Sequence, residues 1–253
     1  MSKPLQFLAF DTSTDRLSVA VTDGARVWQH SGPGGAQASS TLIPAILALL
    51  AEAGLTLGGL DAIAFGRGPG SFTGLRTACA VAQGLAFGAN RGAGIPVLPI
   101  DTLAAVAEEA RFQQAGVDEG APLGITALLD ARMDEMYAQR YQFQGGLCLP
   151  VGECELVRPE NLAPGAPGQW LAGNVFGVYA DRLPAGLGTM RCIEAWPTAA
   201  ALLRLAPALA AAGHCIDPSQ ALPLYVRDKV AQTTDERARI KADALAAALP
   251  PGP

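Results

Sequence analysis

The sequence predicts an α/β protein of two similar lobes, each a mixed sheet flanked by helices. Two observations predict it. An apolar strand ending on an aspartate, a polar turn and a returning strand occur twice, at Asp11 and at Asp130. After each hairpin, short strand-like runs alternate with helix-forming stretches. With 253 residues, 50% hydrophobic and 16% charged, the chain can bury a core large enough for one or two domains.

The elements follow in order. "LQFLAF" (residues 5–10) is a strand, "DTSTDR" (11–16) is rich in turn formers, and "LSVAVTD" alternates as a returning strand does. Asp11 therefore sits at the first corner of a hairpin, and "RVWQH" (26–30) adds a third strand. Ser39, Ser40 or Thr41 can cap a helix running to Ala53, with Gly54 as its C-terminal stop. A strand over 60–65 leads into a glycine-rich loop and a second helix. "GIPVLPI" (94–100) is a further strand, and Asp101 is the N-cap of the helix "DTLAAVAEEARF". The polar stretch 113–122 is the linker, dividing an N-terminal lobe (1–112) from a C-terminal lobe (113–228). In that second lobe "GITALLD" ends on Asp130, "ARMDE" turns, and residues 136–143 return. A tail over 229–253 carries the capping box Thr233-x-x-Glu236 and is expected to be a terminal helix.

The glycine loop comprises Gly66, Arg67, Gly68, Pro69, Gly70, Ser71, Thr73, Gly74 and Arg76. Strand, glycine loop and helix in that order suit anion binding, because free N–H groups and the dipole at a helix N-terminus favour negative charge. The spacing fits neither a P-loop, which needs Lys-Ser/Thr after its last glycine, nor G-x-G-x-x-G. The only lysines are Lys3, Lys229 and Lys241. The loop is therefore read as a tight turn that launches a helix, capped by Ser71 or Thr73. Phosphate binding assisted by Arg67 and Arg76 is the secondary reading.

Composition narrows the partners. A net charge of −5 and a pI near 5.0 oppose unaided binding of nucleic acid. Five cysteines without a CxxC pair point to reduced thiols in a cytoplasmic protein, and the run 42–51 is short for a membrane span. The helix from Leu42 to Ala53 has Glu52 as its only charge, and the helix after the glycine loop repeats small residues. Leu42, Ile46, Leu49, Leu50, Gly74, Ala78, Val81, Ala82 and Leu85 are accordingly the predicted partner surface, with self-association as the default.

Asp-bearing hairpins heading two α/β lobes resemble the actin-like ATPase fold, related to ribonuclease H. "FDTSTDRLSVAV", "GRGPGSFTGLR", "DARMDEMYAQRY" and "PLYVRDKVAQTT" together resemble the TsaB family of tRNA threonylcarbamoyladenosine biosynthesis proteins, grouped with glycoprotease-like proteins. The resemblance implies a scaffold without activity of its own, a subunit of the transferase complex. Its paralogue TsaD and the ATPase TsaE would complete the modification of the adenosine next to the anticodon, with tRNA reached only through the complex. It implies a heterodimer with TsaD, a homodimer when alone, no membrane, and no tightly bound cofactor apart from a nucleotide at the complex interface. TsaD's metal-binding His-x-x-x-His helix aligns with Thr102 and Val106, which supply no nitrogen ligand. The only histidines, His30 and His214, fall in opposite lobes, so no metal site is expected. Asp11, Thr12, Ser13 and Asp130 then mark a vestigial nucleotide site. The competing reading is a working ATPase or small-molecule kinase, with Asp11, Thr12 and Ser13 as the phosphate turn and Asp130 as the magnesium or water-positioning carboxylate.

Overall fold

The computed structural model describes residues 4–114, 122–166 and 168–227. The first lobe contains β1 (Phe7–Asp11), β2 (Arg16–Thr22), β3 (Val27–Pro33), α1 (Ala38–Ala53), β4 (Ala62–Gly68), α2 (Phe72–Gly88), β5 (Val97–Asp101) and α3 (Thr102–Phe112). The second contains β6 (Leu123–Arg132), β7 (Glu135–Gln144), β8 (Leu147–Val157), β9 (Trp170–Gly173), the one-turn helix α4 (Phe176–Tyr179), β10 (Arg191–Glu194) and α5 (Ala199–Ala211). The strand orders are β3-β2-β1-β4-β5 and, read in the same direction, β8-β7-β6-β9-β10. In both sheets the first three strands are antiparallel, and the last two run parallel to the first. The duplication predicted from the two aspartate hairpins is present as a repeated topology, the two-lobed actin-like and ribonuclease H-like α/β arrangement.

The strands of the first sheet read as nearly continuous apolar runs because both of its faces are covered. Leu8 and Phe10 point to the side covered by α1 and α2, with Ile63 and Phe65. Phe7 and Ala9 point the other way, into a core shared with Ile125, Ala127 and Leu129 of the second sheet. Between the sheets lie α3 and α5, packed on each other. The helices cross over: α5, which follows the second sheet, packs on β1, β2 and β4, while α3, which follows the first, packs on β6 and β9. Buried Glu108 on α3 holds Arg111 and Arg204 at 2.8 Å, and Arg204 also reaches Glu109 at 2.7 Å, tying the two helices together. The lobes therefore share one interior.

Several local expectations are corrected. Ser39, Ser40 and Thr41 do not cap α1: a 3-10 turn (Gly35–Gln37) leads directly into it, and the three hydroxyls donate back to the Ala36 and Gln37 carbonyls. Gly54 does end it, left-handed at φ 67°. Ser71 and Asp101 occupy the N-cap positions of α2 and α3, but neither side chain bonds the helix. The Asp101 carboxylate pairs instead with Arg67 at 2.6 Å, a stronger charge-assisted partner than a free amide. The helical run Gly35–Ala53 is, by length and composition, the one among the described residues long and apolar enough to cross a membrane, exceeding the 42–51 run. Its Leu42, Ile46, Leu49 and Leu50 are buried on the sheet. The predicted terminal helix with Thr233 and Glu236, and most of the linker 113–122, lie outside the described residues.

Candidate functional site

The corner after β1 is dry. Asp11, Thr12 and Ser13 are each buried. Asp11 Oδ1 accepts from the Ser13 N–H at 2.8 Å and from Ser13 Oγ at 2.6 Å, and Oδ2 accepts from Thr102 Oγ1 at 3.4 Å. Burial pushes the carboxyl up to about 6, the bonds from Ser13 and Thr102 opposing it. Thr102 also accepts from the Gly68 N–H at 3.2 Å. Thr102 thus joins the aspartate to the glycine loop, a role the sequence reading did not assign it.

The glycine loop is packed onto this corner by backbone. Thr12 Oγ1 donates to the Gly74 carbonyl at 2.8 Å, and the Ser71 N–H donates to the Ser13 carbonyl at 2.7 Å. A Cβ on Gly66 would lie 1.8 Å from Asp11 Oδ2, and one on Gly74 1.8 Å from the Thr12 carbonyl oxygen. These glycines exist so that main chain can occupy the crevice at the carboxyl ends of β1 and β4, where open α/β sheets usually receive ligands. The loop backbone packs directly against the Asp11 corner, and its Gly70 and Ser71 form part of the wall of the neighbouring cleft. Thr73 and Arg76 lie exposed on the first turn of α2, and the Arg76 guanidinium sits 3.6 Å from the Phe72 ring centroid.

The equivalent corner in the second lobe is built differently. Asp130 Oδ1 accepts from the Tyr179 hydroxyl at 2.8 Å and the Arg132 N–H at 2.9 Å, Oδ2 lies 3.6 Å from Arg132 Nη1, and the Asp130 N–H donates to Asn174 Oδ1 at 3.0 Å. Burial and the bond to Asp130 push the Tyr179 hydroxyl up to about 12, keeping it a donor. Between the corners lies a cleft of about 490 Å³, lined by Ser13, Gly70 and Ser71 from one lobe and Asp130, Arg132 and Asn174 from the other. Trp196 also lines it; its Nε1 is buried without a hydrogen-bond partner, and Arg16 stacks 3.9 Å from its ring centroid. Of the four residues of the predicted vestigial site, Ser13 and Asp130 line this cleft, while Asp11 and Thr12 are buried behind Ser13 and do not reach it. Tyr179 was not foreseen, since only the fold places it there, and Asn174 follows directly after β9.

The predicted partner residues fare differently. Leu42, Ile46, Leu49, Leu50, Ala78 and Ala82 are core, packed against the first sheet, Gly74 is buried against the Asp11 corner, and Val81 and Leu85 are half-buried. Their small or apolar character serves the sheet, so they are not a free surface. The apolar side chains that α1 and α2 turn outward are Ile43 and Leu47, 40% and 51% exposed, and Phe72 and Phe87. Ile43 and Leu47 stand four apart, about 100° round the helix from Leu42 and Ile46, a helical spacing visible in the sequence. Among the described residues no group of three His, Cys, Asp or Glu side chains could hold a metal. His30 and His214 are exposed. The five cysteines are free, and burial raises their thiols.

Comparison with known proteins bears on both features. Residues 33–182 match the family model for TsaD, tRNA N6-adenosine threonylcarbamoyltransferase. The chain is 30% identical over 233 residues to the tRNA threonylcarbamoyladenosine biosynthesis protein TsaB of Escherichia coli (strain K12), covering 90% of this chain and 96% of that protein. It is 42% identical over 134 residues to the protein of that name from Haemophilus influenzae, a match spanning 53% of this chain and 52% of that one. A solved structure, YeaZ from Pseudomonas aeruginosa, superposes with a TM-score of 0.76 at 38% identity, covering 88% of this chain and 100% of that one.

Proposed function

The chain belongs to the TsaB family of tRNA threonylcarbamoyladenosine biosynthesis proteins, and on that premise we propose that it is the non-catalytic scaffold subunit of the cytoplasmic complex that modifies tRNA. It docks TsaD through the outer face of α1 and α2, works with TsaE, and meets tRNA only within the complex. Alone it pairs with a second copy through the same face, and a nucleotide, if one is used, sits at the complex interface.

The observation that carries the scaffold reading is the packing of the glycine loop. The corner after β1 is packed by the chain's own backbone, with Asp11 consumed by Ser13 and Thr102. Thr102, standing where TsaD carries a metal-binding histidine, spends its hydroxyl on that same internal bond. A docking role for the outer face is supported by Ile43 and Leu47, which remain exposed on a helix whose other side is core.

Leu47→Arg places a charge on the outer face without entering the core. The expected result is a folded protein whose affinity for TsaD and yield of modified tRNA both fall about tenfold or more, as loss of an interface anchor does. Co-purification and a threonylcarbamoylation assay measure the two. Asp130→Asn should keep most of the yield. Wild-type yield from Leu47→Arg together with loss in Asp130→Asn would overturn the scaffold in favour of an ATPase or kinase acting from the cleft.

A further inference from the structure

After α5 the chain leaves the second lobe. Ile216 bridges Val97 of β5, the 3-10 turn Pro218–Gln220 lies on α2, and Ala221 is buried in the core beneath α1 and α2. Gln83 Nε2 donates to the Ala221 carbonyl at 3.1 Å. The following residues cross the glycine loop. The Leu224 N–H donates to the Arg67 carbonyl at 2.7 Å, and a Cβ on Gly68, whose φ is +123°, would lie 2.6 Å from the Leu224 carbonyl oxygen. Tyr225 stacks on Phe72 with 5.2 Å between centroids and accepts from Arg76 Nε at 3.1 Å.

Two residues later the chain is anchored in the other lobe. The Arg227 side chain, 12% exposed, pairs with Glu135 at 2.8 Å, and its Nη2 donates to the carbonyls of Ala131 at 3.1 Å and Arg132 at 3.3 Å. The turn it grips is strained. Arg132, Met133 and Asp134 have φ of 62°, 56° and 61°, three successive side-chain-bearing residues in the left-handed region, where a tight hairpin favours Asn or Gly. Arg182 holds Asp134 at 2.6 Å. A planar guanidinium reaching two carbonyls and a carboxylate restrains such a turn better than any other side chain.

We infer that residues 221–227 are a strap across the mouth of the interlobe cleft, and that Arg227 is the latch that fixes the cleft's aperture. Leu224, Tyr225, Val226 and Arg227 themselves line the cleft, so the strap borders that space. The lobes are joined elsewhere by the α3 and α5 ion pairs of Glu108 and Glu109, at the opposite end of α3 from Thr102. Together with the core the two sheets share, that junction fixes one side of the cleft, and the strap ties the other. With Arg227 in place, the turn beside Asp130 is tied to the glycine loop. With Arg227 released, the turn relaxes and the cleft widens.

Hydrogen exchange and small-angle X-ray scattering on the full chain carrying Arg227→Gln test this. The expected result is exchange about tenfold faster or more at the Leu224 amide and at the turn amides 131–135, unchanged protection in β1 and β4, and a larger radius of gyration. Faster exchange confined to the turn, with Leu224 as protected as in the parent, would overturn the strap, as would an unchanged radius of gyration. If Arg227→Gln loosens the whole fold, Glu135→Gln and Arg227→Lys decide. Acceleration at Leu224 and the turn, with the core still protected, upholds the latch; a Leu224 amide protected in both variants overturns it.

Discussion

The two lobes repeat one topology and treat its key crevice in opposite ways. In the first, main chain from the glycine loop fills the space beyond β1, and Asp11 is sealed with Ser13 and Thr102. In the second, no such loop descends between β6 and β9 among the described residues. Asp130 is held by Tyr179 and Asn174 at the wall of a cleft. Strand order alone therefore does not decide whether a sheet offers a ligand site. What decides here is whether the residues facing the aspartate are glycines, which admit backbone, or side chains with hydroxyl and amide groups, which leave a lined space.

The largest way to break that contrast is to add one carbon to the sealed side. Gly74→Ala places a Cβ into the Thr12 carbonyl, with no flexible side chain to yield, and should cost about 3 kcal/mol or more, read by chemical denaturation. An unchanged midpoint would mean that the loop and corner are not in register as described. The variants Ala78→Arg and Ala82→Arg, which a partner-face reading would use, belong to the same class of lesion, because both alanines are fully buried.

A smaller effect separates the two aspartates by pH. Asp11 has a folded pKa near 6 against an ordinary value of 3.8. The folded state therefore holds the extra proton between about pH 4 and 6, and stability is lost as pH rises through that window. The size is of the order of 3 kcal/mol. Asp11→Asn, which keeps the shape and carries no charge, should flatten this slope and leave the protein no less stable at pH 7. Thermal melts from pH 4 to 8 compare the variant with the parent, and an unaltered slope would place the titration elsewhere.

The smallest effect lies on the open side. Tyr179→Phe removes a single hydrogen bond to Asp130, whose oxygen can turn to water in the cleft, and should cost about 1 kcal/mol or less. A loss as large as that of Gly74→Ala would show the second corner to be as sealed as the first.

Much of this architecture was legible in one dimension. The period-two strands, the Asp11 and Asp130 corners, the glycine at the end of α1 and the start of α2 are written in local pattern, because strand alternation, turn chemistry and a left-handed stop act over a few residues. The placing of Ser13 and Asp130 on facing walls of one cleft followed from the duplicated lobes, whereas Asp11 is buried behind Ser13. Local pattern failed where a residue had distant competitors for its side chain: Asp101 looked like a cap and found Arg67, and Thr102 looked like a lost ligand and found Asp11. An apolar helix such as α1 shows that it will be covered but not on which side, so the core face was taken for the partner face. The crossing of α3 and α5 between sheets, the return of residues 216–227 to the first lobe and the grip of Arg227 on the 132–134 turn are contacts between residues far apart in the chain. Only the tertiary structure decides them, because their energies depend on which surfaces are brought together and not on the order in which residues are joined.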